Sequence, residues 1–293
     1  MIPVLTLPRR PSHDKAGGSL GWRRLLAVVF VATLMVAACA SEGDSVAGET
    51  PAAQGVTTEA QSLVVFAAAS LTDAFQDLGR GFEAANPGVA VTFNFAGSQA
   101  LRTQIEEGAA ADVFASASLK EMEVLAAAGM LAGVERTFAT NLLTIIVPPD
   151  NPADIGSPLD LARPGVKLVL AATEVPAGGY ARQSIDLLAG LYGASFSEAV
   201  RMNVVSSEDN VKQVVAKVQL GEADAGIVYG TDALAAASLI TVAIPRDQNI
   251  VAEYPIAVLA QTTNGNLAAA FVEYLLSPDG LDALKRWGFR PLQ

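Results

Sequence analysis

Two serines in this chain each stand after a short apolar strand and open an amphipathic helix, an arrangement whose chemistry is anion binding. Leu63-Val64-Val65-Phe66-Ala67-Ala68-Ala69 runs into Ser70, after which Phe75, Leu78 and Phe82 recur at helical spacing. Ser70 precedes Asp73 by three residues, as in a capping box, so the spacing predicts a helix starting at Ser70. Val91, Phe93 and Phe95 alternate with Thr92 and Asn94 ahead of Ser98, and Gln99 to Glu107 reads as the next helix, stopped near Gly108. First-turn N–H groups have no intrahelical partner and carry the positive end of the helix dipole. An oxyanion resting there is stabilised without any full positive charge. A serine at such a place also serves as an ordinary helix cap, and the segment by itself leaves both roles open.

Composition excludes most alternatives. The one histidine, His13, falls within residues 1–38, which read as an export signal: Arg23 and Arg24 precede an apolar run, Leu25 to Ala38, too short for a stable membrane-spanning helix. A mature chain beginning after that signal has no imidazole. This excludes Ser-His-Asp and Cys-His catalysis, histidine-ligated zinc and most general-base chemistry near neutral pH. Cys39 is the only cysteine, so no disulfide forms within the chain. Val36-Ala37-Ala38-Cys39 reads as a lipobox whose cysteine is acylated and becomes the new N-terminus, with Arg23-Arg24 as a twin-arginine export signal the alternative. The carboxylate pairs Glu106-Glu107 and Glu121 with Glu123 lie on polar helices and read as solvated faces. Nucleophile-elbow, P-loop and Rossmann glycine motifs are absent. An extracytoplasmic enzyme working through carboxylates is the competing class.

Residues 39–62 are rich in Ala, Ser, Gly, Thr and Glu without hydrophobic periodicity, a tether that would reach roughly 25 Å from a lipid anchor. Such an anchor holds the folded part at the outer face of the cytoplasmic membrane. Residues 1–38 carry five of the 19 Lys and Arg and one of the 30 Asp and Glu, leaving 14 basic against 29 acidic side chains, a net charge of −15. So acidic a surface repels nucleic acid and gives an anion no long-range steering. If the chain binds an oxyanion, local dipoles must do it.

Further apolar strands and helices alternate downstream: strands 112–115, 142–147, 166–171, 203–205, 225–229 and 254–260, with helices 119–128, 178–190, 211–219, a short one from Thr231 and two at the C-terminus. This is an α/β pattern with a mostly parallel sheet, and about 230 residues is large for one core of this type, so two lobes are expected. In open α/β sheets ligands gather at the carboxyl ends of strands, where Ser70, Ser98 and Tyr229 fall.

Ala67-Ala68-Ala69-Ser70-Leu71, Phe95-Ala96-Gly97-Ser98, Val175-Pro176-Ala177-Gly178, Glu208-Asp209-Asn210-Val211-Lys212-Gln213 and Gly226-Ile227-Val228-Tyr229-Gly230-Thr231-Asp232-Ala233 occur in this order. Together, with Tyr254-Pro255-Ile256-Ala257-Val258 and Trp287-Gly288-Phe289, they make residues 63–293 resemble the molybdate-binding proteins of molybdate ABC transporters. The resemblance implies a type II periplasmic-binding-protein fold, each lobe a mostly parallel sheet flanked by helices, with the ligand in the interlobe cleft. With the strand order it places a first lobe at 63–141, a second at 142–252 and a return to the first at 253–293, crossing near Asn141 and Ala252. It implies a non-enzymatic monomer without cofactor that binds molybdate or tungstate and partners an ABC permease. The implied ligand set is Ser70 and Ser98 through hydroxyl and backbone N–H, Ala177 and Val211 through backbone N–H, and Tyr229 through its hydroxyl. Gly97 and Gln99 replace serines common in the family's second loop, and Lys212 stands where arginine is usual.

A deprotonated tetrahedral oxyanion offers acceptors only, so its site should present donors and no inward carboxylate. Hydrogen phosphate carries a proton that such a site leaves unpaired. Sulfate is separated by size alone, which makes a sulfate or other oxyanion receptor of the same fold the nearest alternative, and tungstate is nearly the size of molybdate.

Overall fold

The computed structural model describes residues 61–292; the export signal, Cys39 and all but the end of the tether lie outside the described residues. β1 (Gln61–Ala68) leads through a 3-10 turn, Ala69–Leu71, into α1 (Thr72–Ala85), followed by β2 (Val89–Ala96), α2 (Ser98–Glu106), β3 (Val113–Ala115) and α3 (Leu119–Ala127). The long β4 (Arg136–Val147) then carries the chain into β5 (Leu168–Ala171), α4 (Pro176–Tyr192), α5 (Ser195–Met202), β6 (Val204–Glu208), α6 (Val211–Gln219), β7 (Ala225–Tyr229), α7 (Gly230–Ala235) and β8 (Ile240–Ala243). β9 (Val251–Val258), α8 (Gly265–Leu276), α9 (Pro278–Arg286) and β10 (Arg290–Pro291) complete it. No helix among the described residues is long and apolar enough to cross a membrane.

These strands form one mixed sheet in the order β2-β1-β3-β9-β4-β7-β5-β6, with β8 and β10 both pairing β4. The parallel pairing expected from the βα alternation holds for β2-β1-β3 at one end and β7-β5-β6 at the other. Between them β9 and β4 run antiparallel to their neighbours. β4 serves both ends: Arg136 to Leu142 pair with β9, and Leu143 to Ile146 with β7. Asn141 and Ala252 face one another in the β4–β9 ladder.

Packing follows from the sequence pattern. Phe75, Leu78 and Phe82 of α1 are buried, and Phe75 and Phe82 meet Phe271 of α8 edge-on at 6.3 and 5.3 Å between ring centroids. Each such fully buried ring contributes about 1.5–3 kcal/mol relative to its exposure. β5 and β7 are buried along their whole length, which is why they read as unbroken apolar runs.

The structure corrects the start of the first helix. Ser70 lies in the 3-10 turn, α1 begins at Thr72 after Leu71, and no side chain caps it. The capping box does not form, because the buried Ser70 hydroxyl instead meets the Tyr254 hydroxyl and Asp73 turns outward to Lys212. Thr72 Oγ1 closes the turn by donating to the Ala69 carbonyl at 2.7 Å. β4 also starts six residues before the expected strand, and α5 is an element that the apolar spacing did not predict.

Candidate oxyanion site

Five predicted site residues come together at one recess. Ser70, Ser98, Ala177, Val211 and Tyr229 all line it, and none is more than 6% exposed. Its free interior is small: the centre of a water-sized sphere can occupy about 10 Å³, the scale of one small occupant. Ser70 and Ser98 come from the β1 and β2 ends, Ala177 and Val211 from the starts of α4 and α6, and Tyr229 from the end of β7.

Local structure explains each donor. α4 begins with Pro176, which has no N–H to satisfy, so the next amides, Ala177 and Gly178, head the helix; the first main-chain bond back to its cap is from Gly179 N–H to the Val175 carbonyl, 2.9 Å. Gly178 is required there, since a Cβ would sit 2.0 Å from the Ala172 carbonyl and 2.3 Å from that of Ala171. At α6 the Asn210 side chain accepts from Gln213 N–H at 3.1 Å, satisfying the third amide of the helix and leaving that of Val211 to the recess. Ser98 is the first residue of α2, and its Oγ accepts from Ala117 N–H at 3.0 Å, so its own proton is available to another acceptor.

Tyr229 Oη is buried and has no hydrogen-bond partner among the described residues. Burial, reinforced by the neighbouring Tyr254, raises its phenol well above the ordinary value, so it remains a donor. An orphaned buried hydroxyl costs free energy unless something accepts from it. The lining includes no carboxylate, lysine or arginine, so attraction for an anion comes from amide and hydroxyl dipoles. No group of three His, Cys, Asp or Glu among the described residues could hold a metal ion.

Outside the lining stand residues whose local sequence pattern assigns them no role. Asp232, two residues into α7, is 1% exposed, and burial raises its carboxyl to about 6 against the opposing pull of Lys212. Lys212 Nζ is 3.3 Å from Asp232 Oδ1 and 2.6 Å from Asp73 Oδ2. Asn141 Nδ2 donates to Thr231 Oγ1 at 2.8 Å, joining β4 to the start of α7. Asp232 and Tyr254 fall inside the motifs quoted above, but nothing in their local spacing distinguishes them from core residues.

Comparison with known proteins gives the family. Residues 63–290 match the bacterial extracellular solute-binding protein family, and the chain belongs to that family. It is 42% identical over 265 residues to the molybdate-binding protein ModA of Mycobacterium tuberculosis, covering 90% of this chain and 97% of that one. The substrate-binding domain of a putative molybdenum ABC transporter from Clostridium difficile superposes with a TM-score of 0.60 at 30% identity, covering 79% of this chain and 99% of the other. The sulfate-binding protein SubI of M. tuberculosis, at 20% identity and a TM-score of 0.71 over 80% of this chain and 88% of its own, shares the fold.

Proposed function

We propose that this protein captures molybdate outside the cytoplasm and delivers it to an ABC permease. The observation that carries the reading is a buried recess lined by donors from five segments, free of carboxylates, with the Tyr229 hydroxyl left without a partner among the described residues. A deprotonated tetrahedral oxyanion supplies the acceptors these groups lack. Among such anions molybdate is favoured by the 42% identity to a ModA. Tungstate, of nearly equal size, binds similarly; sulfate binds more weakly because it is smaller; hydrogen phosphate is rejected because its proton finds no acceptor.

Ser70 and Ser98 bind through hydroxyl and N–H, Ala177 and Val211 through N–H, and Tyr229 through its hydroxyl. Residues 63–141 with 253–293 form one lobe and 142–252 the other, closing on the ligand as a non-catalytic monomer. Cys39 carries the lipid that holds the protein to the membrane, and residues 39–62 span the gap.

Calorimetric titration of the purified protein with molybdate, tungstate, sulfate and phosphate tests the ligand. Tight binding of the first two is the expected result, and heat with sulfate but not molybdate overturns the assignment. Cys39→Ala tests the anchor: the variant should leave the membrane fraction with its affinity intact.

A further inference from the structure

We propose that Tyr254 is a positioning residue for the bound anion: its hydroxyl donates to Ser70 Oγ and thereby turns the Ser70 proton into the recess. This rests on the reading of Ser70 as a ligand. Tyr254 stands on β9 outside the lining of the recess and is fully buried. Its ring is held by Tyr229 at 5.8 Å, Phe289 at 5.2 Å and Phe138 at 6.2 Å between centroids, so the hydroxyl cannot swing away. Ser70 Oγ lies 3.1 Å from Tyr254 Oη, a distance at which one hydrogen bond forms and either oxygen can donate it.

The surroundings decide the direction. An anion made only of acceptors can use Ser70 only as a donor, and a serine hydroxyl has one proton and two lone pairs. When that proton goes to the anion, the contact with Tyr254 is filled by the phenol's proton. Ser98 shows the same arrangement without ambiguity, because the group holding its lone pair is the Ala117 N–H, which cannot accept. Each serine of the recess thus has a donor from a neighbouring segment on its outer side. Burial keeps the Tyr254 phenol far above its ordinary value, so its proton is present throughout the physiological range.

The consequence is a biased polarity. With one Ser70 lone pair held by the phenol's proton, the Ser70 proton is left to face the recess, and a protonated oxyanion finds one acceptor position fewer there than a free hydroxyl would offer. Tyr254 therefore contributes to selectivity without touching the ligand.

Molybdate titration of the wild-type protein, Tyr254→Phe, Ser70→Ala and the double variant tests this. Tyr254→Phe keeps the ring and its packing, and thermal unfolding of the unliganded forms checks that each is folded. Tyr254→Phe should weaken molybdate about five- to tenfold. Ser70→Ala should weaken it further, and the double variant should match Ser70→Ala, since Tyr254 acts only through that serine. Competition by phosphate at pH 7 supplies a readout that loosened packing would not move: in Tyr254→Phe the freed Ser70 can accept, so the ratio of molybdate to phosphate affinity should narrow. An equal Tyr254→Phe penalty in both backgrounds, or an unchanged ratio, overturns the proposal. Intact affinity in Tyr254→Phe beside an impaired Ser70→Ala also overturns it, whereas intact affinity in Ser70→Ala removes the underlying assignment of that serine.

Discussion

The Lys212 ammonium lies 2.6 Å from Asp73 Oδ2, tying the helix that begins with Val211 to the helix that follows Ser70. α1 packs against β1 and β2 and α6 against β5, β6 and β7, so this ion pair joins helices from the two parallel ends of the sheet. Burial pulls the Lys212 ammonium down, but Asp232 and Asp73 more than offset it, and the group stays charged. The pair is a cross-tie for the arrangement in which the donors converge.

Asp73→Asn removes that cross-tie while leaving Lys212 with Asp232. The side chains of the pair are 30% and 35% exposed, and such pairs contribute about 0.2–1 kcal/mol. Molybdate affinity should fall about two- to fivefold by calorimetry, with the unliganded melting temperature nearly unchanged. Lys212→Met behaves differently, because it strands the buried Asp232 carboxylate, and urea unfolding at pH 7 should show a loss of about 3–5 kcal/mol.

Asp232 makes stability depend on pH. Its carboxyl is raised by burial, against Lys212, from 3.8 to about 6, so the folded state holds this proton more tightly than the unfolded chain. The contribution is fully present below about pH 4 and is lost as pH rises through about 6, and a rise of that size corresponds to about 3 kcal/mol. Asp232→Asn should lack this decline: its stability relative to wild type, from urea unfolding at pH 4, 5, 6 and 7, should rise across that window. Parallel profiles would show that Asp232 does not titrate there.

Tyr229→Phe separates binding from folding. Its Oη has no hydrogen-bond partner among the described residues, so deleting it breaks none of their hydrogen bonds and the melting temperature should hold or rise slightly. Binding should weaken by about 1.5–3 kcal/mol, the contribution of a donor to a charged acceptor. Ser70→Ala should instead cost about 1–3 kcal/mol of stability, because it orphans the buried Tyr254 hydroxyl rather than because it uncaps a helix.

Gly178→Ala tests the backbone geometry that aims Ala177. The added methyl would meet the Ala171 and Ala172 carbonyls, which belong to β5 and the turn after it and cannot yield without moving the sheet. A loss of about 1–3 kcal/mol in stability is expected, with a larger loss in molybdate affinity as the first turn of α4 shifts. Unchanged affinity would remove that turn from the site.

Elements whose apolar spacing follows their own period are legible in the sequence. α6 and β7 occupy the predicted 211–219 and 225–229, and the strand-to-serine junctions at Ser70 and Ser98 open into the same recess. α5 carries a weaker signal, with only Phe196 and Val200 buried, four residues apart. Ala177 and Val211 are different, because they act through the main chain, and an alanine or valine side chain says nothing about where its amide points; only the resemblance singles them out.

Tertiary structure alone decided the partners. Local periodicity reports whether a residue faces the core of its own element, but a buried polar group is satisfied by whatever the folded chain brings within hydrogen-bond reach. Ser70 meets a tyrosine 184 positions away and Asp73 a lysine 139 positions away, and these two contacts replace the local capping box that the spacing of the same two residues suggested. β4 extends back to Arg136 for the same reason, since Arg136 to Leu142 become strand by pairing with β9, more than a hundred residues later. The sequence determined the elements and the donor-rich junctions between them; which way each hydroxyl points, and which carboxylate lies buried outside the lining, followed only from closing the sheet through β4 and β9.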